Sequence, residues 1–293
     1  CIRDRSWKEL LKRNAKSTQK RKIDTKKSYS SYWMDDDKYS RFSGLGDGPA
    51  SSNVVKLVKL TNYRKAVSNF VKILTNKEIP VKWHGDTSYT DGKSITISTD
   101  IKDNNFDVTV GLALHEASHV LLTDFTILPY WFSGTGFETM HEELRAFQSI
   151  DHETKLKFVK DLLNWVEDRR IDNYVFKSSP GYKAYYHKLY DTYFNNDKVV
   201  VKAFGAGNFR DVTNLQHWSF HIINSMNPAS DPTALPGLST VLSIADIGNI
   251  KRLTSTRESL CVAFEMAKEV FRQMEAAIAN QPQQEEQEGQ QPQ

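Results

Sequence analysis

The apolar positions Val110, Ala113, Leu114, Ala117, Val120 and Leu121 recur at three- and four-residue intervals and fall on one side of a helix. The other side carries His115, Glu116 and His119, so this helix has an apolar back and a chemical front. Upstream, Val55, Leu57, Val58, Leu60, Val67, Phe70, Val71 and Leu74 predict an amphipathic helix over 53–77, stopped by Pro80. Residues 81–83 read as a short strand and 94–98 alternate as another, joined through the turn sequence Thr90-Asp91-Gly92-Lys93. Beyond the motif helix, 124–136 reads as a loop containing Pro129, Gly134 and Gly136, and a helix begins near Thr139. A longer helix over 155–176 ends at Ser178-Ser179-Pro180-Gly181, and an aromatic-rich segment follows over 182–193. Helical spacing returns over 214–274, broken by a Pro-containing loop at 227–237.

The ends follow no such period. Residues 1–50 are rich in Lys, Arg, Ser and Asp, with the runs Lys20-Arg21-Lys22 and Lys26-Lys27, and read as a basic flexible arm. Residues 279–293 form a tail or linker of mostly Gln, Glu and Pro, leaving a single domain over 51–278. Composition agrees with that division: only 39% of residues are hydrophobic and the mean hydropathy is −0.55, low for a chain that is packed throughout. The net charge of +3 is too mild to argue for nucleic-acid binding, and sparse aromatic interleaving makes the arm a solvated tail rather than a nucleic-acid tether. Two cysteines, Cys1 and Cys261, build neither a disulfide framework nor a thiolate metal site. With no apolar run of membrane-spanning length and no signal-peptide pattern, the expected location is the cytoplasm.

The front of the motif helix carries the chemistry. His115-Glu116-Ala117-Ser118-His119 is H-E-x-x-H, which on a helix stands two imidazoles one turn apart to grip one Zn²⁺, with Glu116 as the general base for water. A solvated i,i+4 histidine pair is the bland alternative, and it leaves unexplained why both imidazoles share the face that the apolar stripe leaves free. A third protein ligand is needed. Glu142 and Glu143 compete with the cluster Glu167-Asp168-Arg169-Arg170-Ile171-Asp172. Helical projection sets Glu167 inside the apolar arc of Leu156, Val159, Leu163, Val166, Ile171 and Tyr174, while Asp168 lies off it beside Asp161 and Asp172 and reads as an outer-sphere or surface group. A carboxylate on a buried face needs a cation. Zinc and the Arg170 side chain, three residues on, are the two candidates, and the missing ligand tips the expectation to Glu167 on zinc.

Thr90-Asp91-Gly92-Lys93 with its strand, then His115-Glu116-Ala117-Ser118-His119, then Asn164-Trp165-Val166-Glu167-Asp168-Arg169-Arg170-Ile171 together resemble the zincin-like metallopeptidase domains that precede von Willebrand factor A domains in bacteria and tailed phages, often beside a MoxR-type AAA+ ATPase. The resemblance covers about 81–181 well and the rest loosely. It implies an α+β, mainly α, zincin-like domain with a small sheet beside the H-E-x-x-H helix, and disordered tails. It makes His115, His119 and Glu167 ligands and Glu116 the base of a gluzincin-type peptidase acting on a protein or peptide, located in the cytoplasm, or on the virion if phage-encoded. Where this chain ends in its Gln-rich stretch, the family usually continues into the von Willebrand factor A domain. Tyr182, Tyr185, Tyr186 and His187 are candidates for stabilising an oxyanion, and a core aromatic cluster explains them equally well. The rival reading is a zinc-bearing binding or assembly module without turnover, working with an AAA+ ATPase or a phage particle.

Overall fold

Helix α1 (Ser52–Thr75) runs to Asn76, whose left-handed backbone (φ 52°) ends it. Pro80 then leads into a small sheet of β1 (Val81–Trp83), β2 (Tyr89–Thr90) and β3 (Ile95–Ile97). The strand order is β1-β3-β2: β1 lies parallel to β3, in register Val81 with Ile95, and β2 antiparallel, pairing Thr90 with Ile95. The structure, a computed structural model, describes residues 52–85, 88–98, 106–193 and 209–280. The arm expected over 1–50 and nearly all of the tail expected over 279–293 lie outside these residues.

The motif helix α2 (Phe106–Leu122) follows the sheet and buries the back that its periodicity predicts, with Val110, Ala113, Leu114 and Ala117 inside. Where a loop is expected, α3 (Ile127–Ser133) forms instead. Pro129 is its third residue, in the first turn, where a missing N–H costs no helical hydrogen bond. Next come α4 (Glu138–Arg145) and the long α5 (His152–Ser178), whose start is capped by the Asp151 side chain accepting from the Thr154 N–H. A single 3₁₀ turn connects α5 to α6 (Lys183–Tyr193), and α7 (Leu215–Ile223), α8 (Leu238–Ala245) and α9 (Thr256–Ala279) complete the described chain. The described residues are therefore mainly helical with one three-stranded sheet.

Two apolar clusters hold these elements. The first joins α1, β3, the back of α2 and Tyr185 and Tyr186 of α6. The second joins α3, α4, most of α5, α7, α8 and α9, around Trp131, Trp218 and Phe271. Helix α5 belongs to both, since Leu156 to Val166 sit in the second cluster and Val175 in the first. Where α2 and α6 cross there is no room for a side chain: a Cβ on Gly111 would stand 2.6 Å from the Tyr185 carbonyl oxygen. The chemical front of α2 thus faces the middle of α5, along the seam between the two clusters.

Candidate metal centre

Helices α2 and α5 each bring a pair of polar side chains one turn apart, and the pairs meet in opposite order. His119 faces Asp168, with Nε2 3.1 Å from Oδ1, and His115 faces Asp172, with Nδ1 3.2 Å from Oδ1. His115 Nε2 also lies 3.5 Å from the same Asp168 oxygen. Ligand-type atoms of His115, His119 and Asp168 all fall within 4.8 Å of one another. The two imidazole rings stand nearly perpendicular, at 88°, with centroids 4.9 Å apart.

The third member of this group is the Asp168 carboxylate, and the expectation for Glu167 does not match its surroundings. Glu167 is 2% exposed on the apolar face of α5, as projection places it, but its oxygens are taken by the protein. Arg170 donates from Nε to Oε2 at 2.8 Å and from Nη2 to Oε1 at 2.6 Å, while Thr123 and Thr256 donate their hydroxyls to Oε1 at 2.9 and 2.8 Å. The cation that a buried carboxylate requires is therefore Arg170. Glu142 and Glu143 also stand apart from the histidines. Glu142 is exposed on α4, and Glu143 pairs with Lys268 of α9 at 2.6 Å.

Each histidine is also held from outside the cluster. Asp172, which faces His115, accepts a hydrogen bond from the Tyr190 hydroxyl, and Arg169 donates to the oxygen of Tyr190 at 2.7 Å. His119 Nδ1 lies 3.0 Å from the Thr123 hydroxyl, which reaches Glu167. Asp172 and Thr123 have no counterpart among the residues expected at the site. The readable signal for Asp168 and Asp172 was their four-residue spacing, matching that of His115 and His119.

Electrostatics mark the group as a place for positive charge. Burial opposes a charged imidazole at His115, but the facing carboxylates of Asp168 and Asp172 outweigh it and hold its pKa well above the ordinary histidine value. Burial likewise opposes ionisation of Asp168, and the two histidines reverse this, drawing its pKa far down. At Glu116 burial wins over the attraction of the histidines, so its carboxyl is pushed up from the usual range.

A cleft of about 250 Å³ opens over the cluster. The edge strand β2 contributes Tyr89 and Thr90 to it, Phe125, Ile127, Leu128 and Leu163 form an apolar wall, and Lys160 and Asn164 add polar groups from α5. None of the four expected oxyanion candidates lines this cleft. Tyr185 and Tyr186 are buried in the first apolar cluster, where Tyr186 shares a 3.0 Å hydrogen bond with Ser118; Tyr182 packs at that cluster's edge and His187 stacks on Phe176. Compared with known proteins, the chain matches no family model, no curated protein and no solved structure. Among the described residues, no helix is long and apolar enough to cross a membrane.

Proposed function

We propose that this chain is a zinc-dependent peptidase of zincin-like type, with His115, His119 and Asp168 as the protein ligands and Glu116 as the general base. The observation that carries the reading is the convergence of two imidazoles and one carboxylate within 4.8 Å, beside Glu116, at the floor of an open cleft. Two nitrogen donors and one oxygen donor are a catalytic zinc set, and three protein ligands leave a position for water or substrate. Among the described residues no thiolate or second carboxylate joins the group as a fourth ligand, as a closed structural site would require.

Zinc bound there would supply Lewis-acid polarisation of a carbonyl and acidify water. The chain's own residues supply the remainder. Glu116, with its raised pKa, accepts the proton of the attacking water and returns it to the leaving amine. The outer edge of β2, unpaired among the described strands, offers backbone hydrogen bonds to an extended substrate, which selects peptide over other acyl groups. The apolar wall around Phe125 and Leu163 receives a substrate side chain next to the scissile bond.

The test is a Glu116→Gln comparison. Purified wild type should carry close to one zinc per chain by elemental analysis and cleave an unstructured protein such as casein. Glu116→Gln should keep the zinc and lose roughly 10²- to 10⁴-fold in rate. Full zinc occupancy in a wild type that cleaves no peptide would leave the non-catalytic assembly module as the reading, and absence of zinc from His-intact protein would end both.

A further inference from the structure

A threonine hydroxyl that touches an imidazole can either donate or accept, so by itself it orients nothing. Thr123 has lost that freedom. Its one proton goes to Glu167 Oε1 at 2.9 Å, and Glu167, doubly bonded by Arg170 and bonded again by Thr256, can only accept. What Thr123 presents to His119 Nδ1, 3.0 Å away, is therefore a lone pair, and Nδ1 must carry the hydrogen. The other nitrogen, Nε2, faces Asp168 Oδ1 at 3.1 Å and donates to it when no metal is bound; a metal ion would take the place of that proton. His115 reaches the same state by a shorter route, because Asp172 is itself an acceptor for its Nδ1.

We propose that Thr123 is a positioning residue for His119, its hydroxyl polarised by the Glu167–Arg170 pair so that His119 offers Nε2 to a metal ion; this rests on the metal-centre reading above. The Glu167 carboxylate thus acts on the centre through an intermediary, not by ligation. Thr256, the first residue of α9, donates to the same Glu167 oxygen and accepts from the Asp124 N–H at 2.8 Å, which fixes the Thr123–Asp124 corner against the second apolar cluster. Arg170 adds a bond to the Leu122 carbonyl at 2.7 Å, so the end of α2 is held on both sides of Thr123.

The test uses the whole 293-residue chain labelled with ¹⁵N-histidine, and the variants Thr123→Val, which keeps the shape but cannot accept, and Thr123→Ser, which can. In the zinc-loaded wild type, long-range ¹H–¹⁵N spectra should show Nδ1–H on both histidines, with a hydrogen-bonded, slowly exchanging proton on each. Thr123→Val should lose the slow exchange at His119 only, with His115 as internal reference, and weaken zinc by on the order of tenfold against a competing chelator. Thr123→Ser should restore both. A Thr123→Val protein with native affinity and an unchanged His119 signal overturns the proposal, and so does a Thr123→Ser protein that behaves like the valine. If wild type takes up no zinc, the metal-centre reading fails separately; exchange of the His119 Nδ1–H in the metal-free protein then decides the relay, slow in wild type and Thr123→Ser and fast in Thr123→Val if Thr123 accepts it, with equal exchange in all three overturning the proposal.

Discussion

Glu167 and Asp168 are neighbours in the chain and opposites in their surroundings. Glu167 is buried at the base of the cleft, saturated by Arg170, Thr123 and Thr256, and serves as a fixed anion of the interior. Asp168 turns by one residue toward the cleft and meets the imidazoles of His115 and His119, and among the described residues no guanidinium binds its carboxylate. A centre meant to hold a cation and admit a substrate cannot sit in the deepest part of a core. Its ligands belong at the margin of the apolar arc, where one side of the group is packed and the other is open.

The largest expected effect that would break this comparison is on metal. Asp168→Ala should abolish stoichiometric zinc binding, measured by elemental analysis, and leave the far-ultraviolet circular dichroism unchanged; equal loss from Glu167→Ala would merge the two roles. Glu167→Ala should instead register in stability. Removing one member of a buried ion pair leaves Arg170 unpaired, a cost of about 3–5 kcal/mol in urea unfolding, with zinc affinity lowered by about 10- to 100-fold through Thr123.

The pH dependence of unfolding sharpens the contrast further. Burial opposes the charge on Glu167, but Arg170 outweighs it and its pKa is lowered from the ordinary 4.5. Since the folded value lies below the unfolded one, the stability it contributes is complete above the ordinary value and disappears as pH falls through the lowered one. Glu167→Gln should therefore flatten the acid limb of the stability profile of the metal-free protein. The smallest effect belongs to the discarded candidates on α4. Glu143→Ala breaks a partly exposed contact with Lys268 and should cost up to about 1 kcal/mol, with zinc content unchanged.

Much of this arrangement was legible in the sequence, because periodicity reports directly on burial. The back of α2, the bounds of α1 and the burial of Glu167 are all consequences of which residues repeat at helical spacing. What periodicity does not report is the partner of a buried group. Arg170 and a metal ion satisfy the same requirement, and only the direction of the guanidinium decides between them. Strand β2 escaped notice because two residues cannot show alternation; its conformation is imposed by pairing with β3. Helix α3 escaped because Pro129 reads as a breaker unless its place in the first turn is known.

The contact at Gly111 has a bearing on how finely the centre can be adjusted. Side chains that meet across an interface can trade rotamers and absorb a small error, whereas Gly111 meets the main chain of Tyr185, which has none to trade. Helix α6 also carries Tyr190, which reaches Asp172 and through it His115. A single methyl group added at Gly111 would act as a wedge, and the displacement would travel along α6 to an imidazole it never touches. The tolerance of the centre is thus set on the far side of α2, at a position with no side chain at all.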